Sequence, residues 1–123
     1  MRVKGGTVRH ANRKRILKRA EGYFGARHRL YKTAKESVMR ADAYAFNGRK
    51  EKKQEYRKLW IRRISAACKN EGTSYSKFMH GLKLSNIGLN RKMLSEIAAN
   101  SPEEFHNLVG IANDALAAEA ANA

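Results

Sequence analysis

The chain has 123 residues, with 26 Lys and Arg against 11 Asp and Glu, a net charge of +15. That length suits one modest domain or a small domain with an extension, and such an excess of like charge calls for a polyanionic partner: nucleic acid, an anionic membrane surface or an acidic protein. No stretch approaches the roughly 18 apolar residues of a membrane span, and a lone Cys68 excludes an intramolecular disulfide and fits a reducing compartment.

The charge is unevenly placed. Residues 1–69 hold 22 basic and 5 acidic side chains, whereas residues 70–123 hold 4 basic and 6 acidic ones. The sequence therefore joins a polycation to a nearly neutral piece. Residues 1–12 read as an extended arm: Gly5-Gly6 is flexible, and Arg2, Lys4 and Arg9 hang on it without apolar periodicity. The N-terminus carries charge without a following apolar stretch, and no secretory signal or organellar address is expected there.

A helix is expected from about Asn12, through Arg13, Lys14, Arg15, Lys18 and Arg19, until the two glycines of Gly22-Tyr23-Phe24-Gly25 break it. From His28 to Asn70 there is no proline, and strong helix formers dominate. A helix over 32–69 would be on the order of 55 Å long, with Gly48 as a candidate bend. Its apolar stripe is narrow, made of Tyr56, Trp60, Ile64 and Ala67 with Leu59 and Ile61 beside them. A helix charged nearly all round is not held by its own core and needs a partner along its length. It lacks the sustained heptads of a coiled coil.

Gly72 is a stop signal. Beyond it three short helices are expected. Thr73 or Ser74 caps one carrying Phe78, Met79 and Leu82, and Asn90 caps one carrying Met93, Leu94 and Ile97. Ser101-Pro102-Glu103-Glu104 starts the third, with Phe105, Leu108, Val109, Ala112 and Leu116. The Ala-rich end after Ala117 is expected to fray. The fold class is all-α: a basic N-terminal extension and long RNA-binding helix over residues 1–72, then a small three-helix C-terminal domain over residues 73–123.

The candidate site is a surface rather than a pocket. Phosphates attract Lys and Arg by Coulomb forces and counterion release, and unpaired bases stack on aromatic rings. The expected RNA contacts are Arg2, Lys4, Arg9, Arg13, Lys14, Arg15, Lys18, Arg19, Arg27, Arg29, Lys32, Lys35, Arg49, Lys50, Lys53, Arg57, Arg62 and Arg63. Tyr23 joins them from the glycine turn, where Tyr23 and Phe24 suit either RNA contact or packing. Lys77, Lys83, Arg91 and Lys92 form a smaller basic edge on the C-terminal helices. RNA is favoured over DNA because folded RNA offers crevices that an arm and a long helix can thread, whereas DNA readers present a short recognition helix from a compact body. A DNA-compacting or DNA-binding regulatory protein is the alternative. A cationic membrane-surface helix would need a broad apolar face, which residues 32–69 lack. His10, His28, His80 and His106 are scattered, Cys68 sits among apolar neighbours, and no metal spacing or phosphate loop occurs. No enzyme activity, cofactor or metal is expected.

Several segments in order carry a resemblance: Gly22-Tyr23-Phe24-Gly25-Ala26-Arg27, Thr33-Ala34-Lys35-Glu36 with Val38-Met39, and Tyr56-Arg57-Lys58-Leu59-Trp60-Ile61 with Arg63-Ile64. Ser74-Tyr75-Ser76-Lys77-Phe78, Gly81-Leu82-Lys83 and Leu89-Asn90-Arg91-Lys92-Met93-Leu94 continue it. From about Arg13 to Val109 the chain resembles the bacterial ribosomal protein twenty family of the large subunit. The resemblance implies binding to large-subunit ribosomal RNA beside neighbouring large-subunit proteins in the cytoplasmic ribosome, and a role in subunit assembly. It also implies a C-terminal domain that contributes to RNA recognition; some members repress their own messenger RNA. Ser65 stands where the family pattern has Asn, Glu21 precedes Gly22 where a neutral or basic residue is common, and the first dozen residues match loosely.

Overall fold

The computed structural model describes residues 4–122 and shows, among them, helices and turns without a strand. The helices are α1 (Gly6–Arg19), α2 (Tyr31–Asn70), α3 (Tyr75–Leu84), α4 (Arg91–Asn100) and α5 (Pro102–Asn122), with a 3-10 turn at Gly25–His28 between the first two. The all-α expectation holds. The chain forms two compact units that part within α2, one up to Glu51 and one from Lys52.

In the first unit, α1 starts six residues earlier than expected, at Gly6 in place of Asn12. The arm was read as extended because it has nothing to pack on, and α1 indeed buries none of its residues. Once residues 13–19 are helical, however, each added residue gains a backbone hydrogen bond for fixing one residue, without the nucleation cost of a new helix, so the helix propagates backwards without a core. Arg2 lies outside the described residues.

The glycine turn lies where the sequence puts it. Gly22 and Gly25 take φ of 87° and 63°, the left-handed region that side chains with a Cβ disfavour, and the chain turns back there. The turn is tied down. Tyr23 N–H donates to the Ala20 carbonyl at 3.1 Å, and Leu30 N–H to the Ala26 carbonyl at 2.9 Å. The Thr33 hydroxyl lies 2.9 Å from the Ala26 carbonyl and 3.0 Å from that of Leu30, and His28 Nδ1–H donates to the Tyr23 carbonyl at 2.6 Å. A small core of Ala20, Ala34 and Val38, flanked by Ile16, Leu17 and Tyr23, joins the end of α1 to the start of α2.

α2 passes through Gly48 without interruption. It ends in a Schellman motif at Gly72: Thr73 N–H donates to the Cys68 carbonyl at 2.9 Å and Gly72 N–H to that of Lys69 at 3.1 Å. α3 ends the same way with Asn86 in the left-handed position, Ile87 N–H reaching the Leu82 carbonyl at 3.0 Å. Ser74 caps α3 and Asn90 caps α4, each accepting from the amide three residues on.

The second unit holds the larger core. Phe78 and Leu82 of α3, Leu94 of α4, and Phe105, Val109 and Ala112 of α5 are buried together, and Ile64 and Cys68 from the last turns of α2 complete the cluster. The Phe78 and Phe105 rings lie 5.1 Å apart and tilted, a favourable aromatic geometry. α3 and α5 meet at Gly81, where a Cβ would stand 2.4 Å from the Ala112 carbonyl oxygen. Met93, expected on the inner face of α4, is 46% exposed. A ten-residue helix presents one narrow stripe, and Leu94, Ile97 and Ala98 occupy it. Past Ala117 α5 continues as helix to Asn122 in place of fraying, with the Glu119 carboxylate 2.9 Å from His80 Nε2 of α3. Alanine's high helix propensity works in the same direction.

Candidate nucleic-acid interface

The basic residues lie almost entirely in solvent. Lys4 precedes α1, and Arg9, Arg13, Lys14, Arg15, Lys18 and Arg19 stand on it, all exposed. At about 100° per residue, positions 13, 14 and 15 already point to three sides of the helix. Arg27 and Arg29 follow the glycine turn and Lys32 and Lys35 open α2, again exposed. Along α2, Arg49, Lys50, Lys53, Arg57, Arg62 and Arg63 are exposed and point to all sides. Every residue over 42–59 is exposed, so this stretch of helix meets water on its whole circumference.

Few of these charges are neutralised within the chain. Among the described residues, the Lys and Arg side chains make two ion pairs, Lys58 with Glu55 at 2.9 Å and Arg19 with Asp42. The Asp42 hydrogen bond and charge push the Arg19 guanidinium further above its already high ordinary range, and both side chains remain half-exposed. Two lysines lie over aromatic faces, Lys50 4.4 Å from the Phe46 ring centre and Lys52 5.8 Å from that of Tyr56. Most of the remaining cations face solvent without a counter-charge, an arrangement suited to phosphates.

The two aromatics of the glycine turn separate. Tyr23 is half-buried against the small core, whereas Phe24 is 93% exposed. A groove of about 330 Å³ runs beside them, lined by Tyr23, Phe24, Arg27, Glu36, Arg40 and Tyr44 among others. Phe24, which suited either contact or packing, takes the exposed position, and Arg40 and Tyr44 join it beyond the expected contacts. An exposed aromatic between two left-handed glycines was the signal for Phe24; for Arg40 and Tyr44 the sequence held only their helical spacing to Glu36 and Ser37. On α2, Ile64 is buried, Trp60 is half-buried and Tyr56 is 47% exposed, its ring 6.2 Å from that of Trp60.

On the C-terminal helices, Lys77, Lys83 and Lys92 are exposed. Arg91 is half-buried, its Nε donating to the Tyr75 hydroxyl at 2.8 Å, so the fold fixes this side chain in place. Cys68 is fully buried, and burial pushes its thiol up to about 11, which leaves it protonated and unreactive near neutrality.

An all-α chain whose unpaired cations surround two helices falls in the class of basic, helical structural proteins. Comparison with known proteins narrows the class to a family. A sequence profile described as Ribosomal protein L20 matches residues 2–108. The large ribosomal subunit protein bL20 of Mesoplasma florum is 60% identical over 115 residues, 94% of this chain and 96% of that one. Its counterparts in Mycoplasmopsis agalactiae and Limosilactobacillus reuteri are 59% and 57% identical, over 93% and 94% of this chain and 98% and 99% of theirs. The chain belongs to the ribosomal protein L20 family. It is accordingly a ribosomal structural protein of the large subunit and not an enzyme.

Proposed function

We propose that the chain is built into the large ribosomal subunit by binding its ribosomal RNA directly, and that this contact supports subunit assembly. The observation that carries the reading is the stretch 42–59 of α2, exposed on every side, with six cations of which one, Lys58, is in an ion pair. A helix in that state gains no stability from a core, but it gains from phosphates arranged around it. The cations named above neutralise RNA strands where they approach one another, which lowers the repulsion that opposes RNA compaction. Residues 1–72 act as the RNA-binding part. Residues 73–123 act as a docking domain whose edge of Lys77, Lys83, Arg91 and Lys92 faces RNA. The exposed Tyr56 and Leu59 offer a contact to neighbouring large-subunit proteins. The same chemistry extends to the chain's own messenger RNA as a second ligand.

The test is a binding series with transcribed large-subunit ribosomal RNA, the chain's own messenger RNA and duplex DNA across salt concentrations. Tighter binding to ribosomal RNA at moderate salt is expected. With it should come co-sedimentation with the large subunit through a high-salt wash. Equal affinity for duplex DNA, or sedimentation near the top of the gradient, would refute the reading.

A further inference from the structure

We propose that the groove beside the glycine turn holds a single unpaired RNA nucleotide, its base stacked on Phe24 and its Watson–Crick edge turned to Glu36. This deepens the RNA-binding reading and rests on it. The first ground is Phe24 itself. A ring of that size gains strongly from burial, yet it stands 93% exposed while its neighbour Tyr23 packs into the core. The turn that presents it is no loose loop. The hydroxyl of Thr33, the imidazole of His28 and the backbone bonds of Tyr23 and Leu30 hold it in place, so the ring is offered to solvent from a rigid support. Such preorganised aromatics stack on bases at little entropic cost.

The second ground is the mixture of charges. Arg27 and Arg40 line the groove and suit the phosphates on either side of a nucleotide, and a second ring, Tyr44, is 66% exposed. Glu36 lines the same groove and, among the described residues, makes no ion pair. A carboxylate repels a phosphate, so a groove built only to grip the backbone would gain by lacking it. A carboxylate does accept hydrogen bonds from the N–H donors of a base edge. In an RNA duplex the Watson–Crick donors are spent on pairing and the major-groove edge is too deep and narrow for a side chain to reach, so the base is unpaired and out of its stack. The volume of about 330 Å³ is at the small end of ligand sites, which suits one nucleotide rather than a helix.

The experiment measures affinity for transcribed large-subunit ribosomal RNA with the full chain and three variants, over a salt series. Phe24→Ala is expected to weaken binding by between about fivefold and a hundredfold, the range for losing one stacked base. The salt dependence should stay as in the parent chain, because no phosphate contact is lost. Phe24→Trp, which keeps a stacking face, restores the affinity. Glu36→Gln weakens binding even though it removes a negative charge. Phe24 and Glu36 are exposed, so folding is untouched. Unchanged affinity in Phe24→Ala, or tighter binding in Glu36→Gln, overturns the nucleotide site and leaves the RNA-binding reading standing. A parent chain that does not prefer ribosomal RNA to duplex DNA overturns both.

Discussion

Replacing Gly81 by Ala tests the packing that shapes the C-terminal unit. A Cβ there would lie 2.4 Å from the Ala112 oxygen and 2.8 Å from its carbonyl carbon and Cα. All three are backbone atoms, so no side-chain rotation relieves the clash. Restoring a contact of about 3.5 Å requires α3 and α5 to separate by about 1 Å. Overpacking of this kind costs about 1–3 kcal/mol, and the parting helices loosen the neighbouring Phe78–Phe105 contact as well. Alanine's better helix propensity returns up to about 1 kcal/mol. The expected net loss is about 1 kcal/mol, which in a unit of this size lowers Tm by about 4–8 °C. Gly110→Ala is the internal control. It lies at an exposed position of α5 with no atom within 4 Å of the added Cβ, so it should raise Tm by a few degrees. Differential scanning calorimetry of the full chain reads both. If Gly81→Ala moves Tm upward alongside Gly110→Ala, the close approach of the two helices is not there and the reasoning fails.

Two further predictions concern Cys68 and α2. The Cys68 thiol is held up at about 11 against an ordinary 9.0, mainly by burial and with the Glu71 charge adding to it. The unfolded thiol therefore ionises first, so its contribution is fully present below pH 9 and lost as pH rises from 9 to 11. The amount is on the order of 2 kcal/mol. Urea midpoints at pH 8 and pH 10.5 should fall further for the parent chain than for Cys68→Ala, and parallel falls would remove the argument. Hydrogen exchange in the free chain should be faster in 42–59, where no packing protects the backbone, than in α3, α4 and α5, and slow sharply when ribosomal RNA is added. Protection there equal to that of α3 before RNA is added would show that the helix does not depend on its partner.

The local signals were readable because they act over a few residues. Gly22 and Gly25 break the helix, Gly72 ends α2, and Ser74, Asn90 and Ser101-Pro102 start the next three, each through backbone geometry or a capping bond that neighbours decide. The start of α1 was misjudged because helix propagation needs no apolar partner, and apolar pattern was the guide. Met93 was misplaced for a related reason: three apolar residues on one short helix do not say which of them flanks the stripe. Tyr23 and Phe24, adjacent and equally suited to either role, were separated by packing on Ala20, Ala34 and Val38, residues that only folding brings together.

Composition and charge order alone established a helical polycation joined to a neutral piece, because net charge and helix propensity are sums over residues. The tertiary structure decided where Ile64 and Cys68 go, how closely α3 meets α5 at Gly81, and which aromatic stands out beside Arg27, Glu36 and Arg40. These depend on contacts between residues distant in the chain, and no local pattern specifies them.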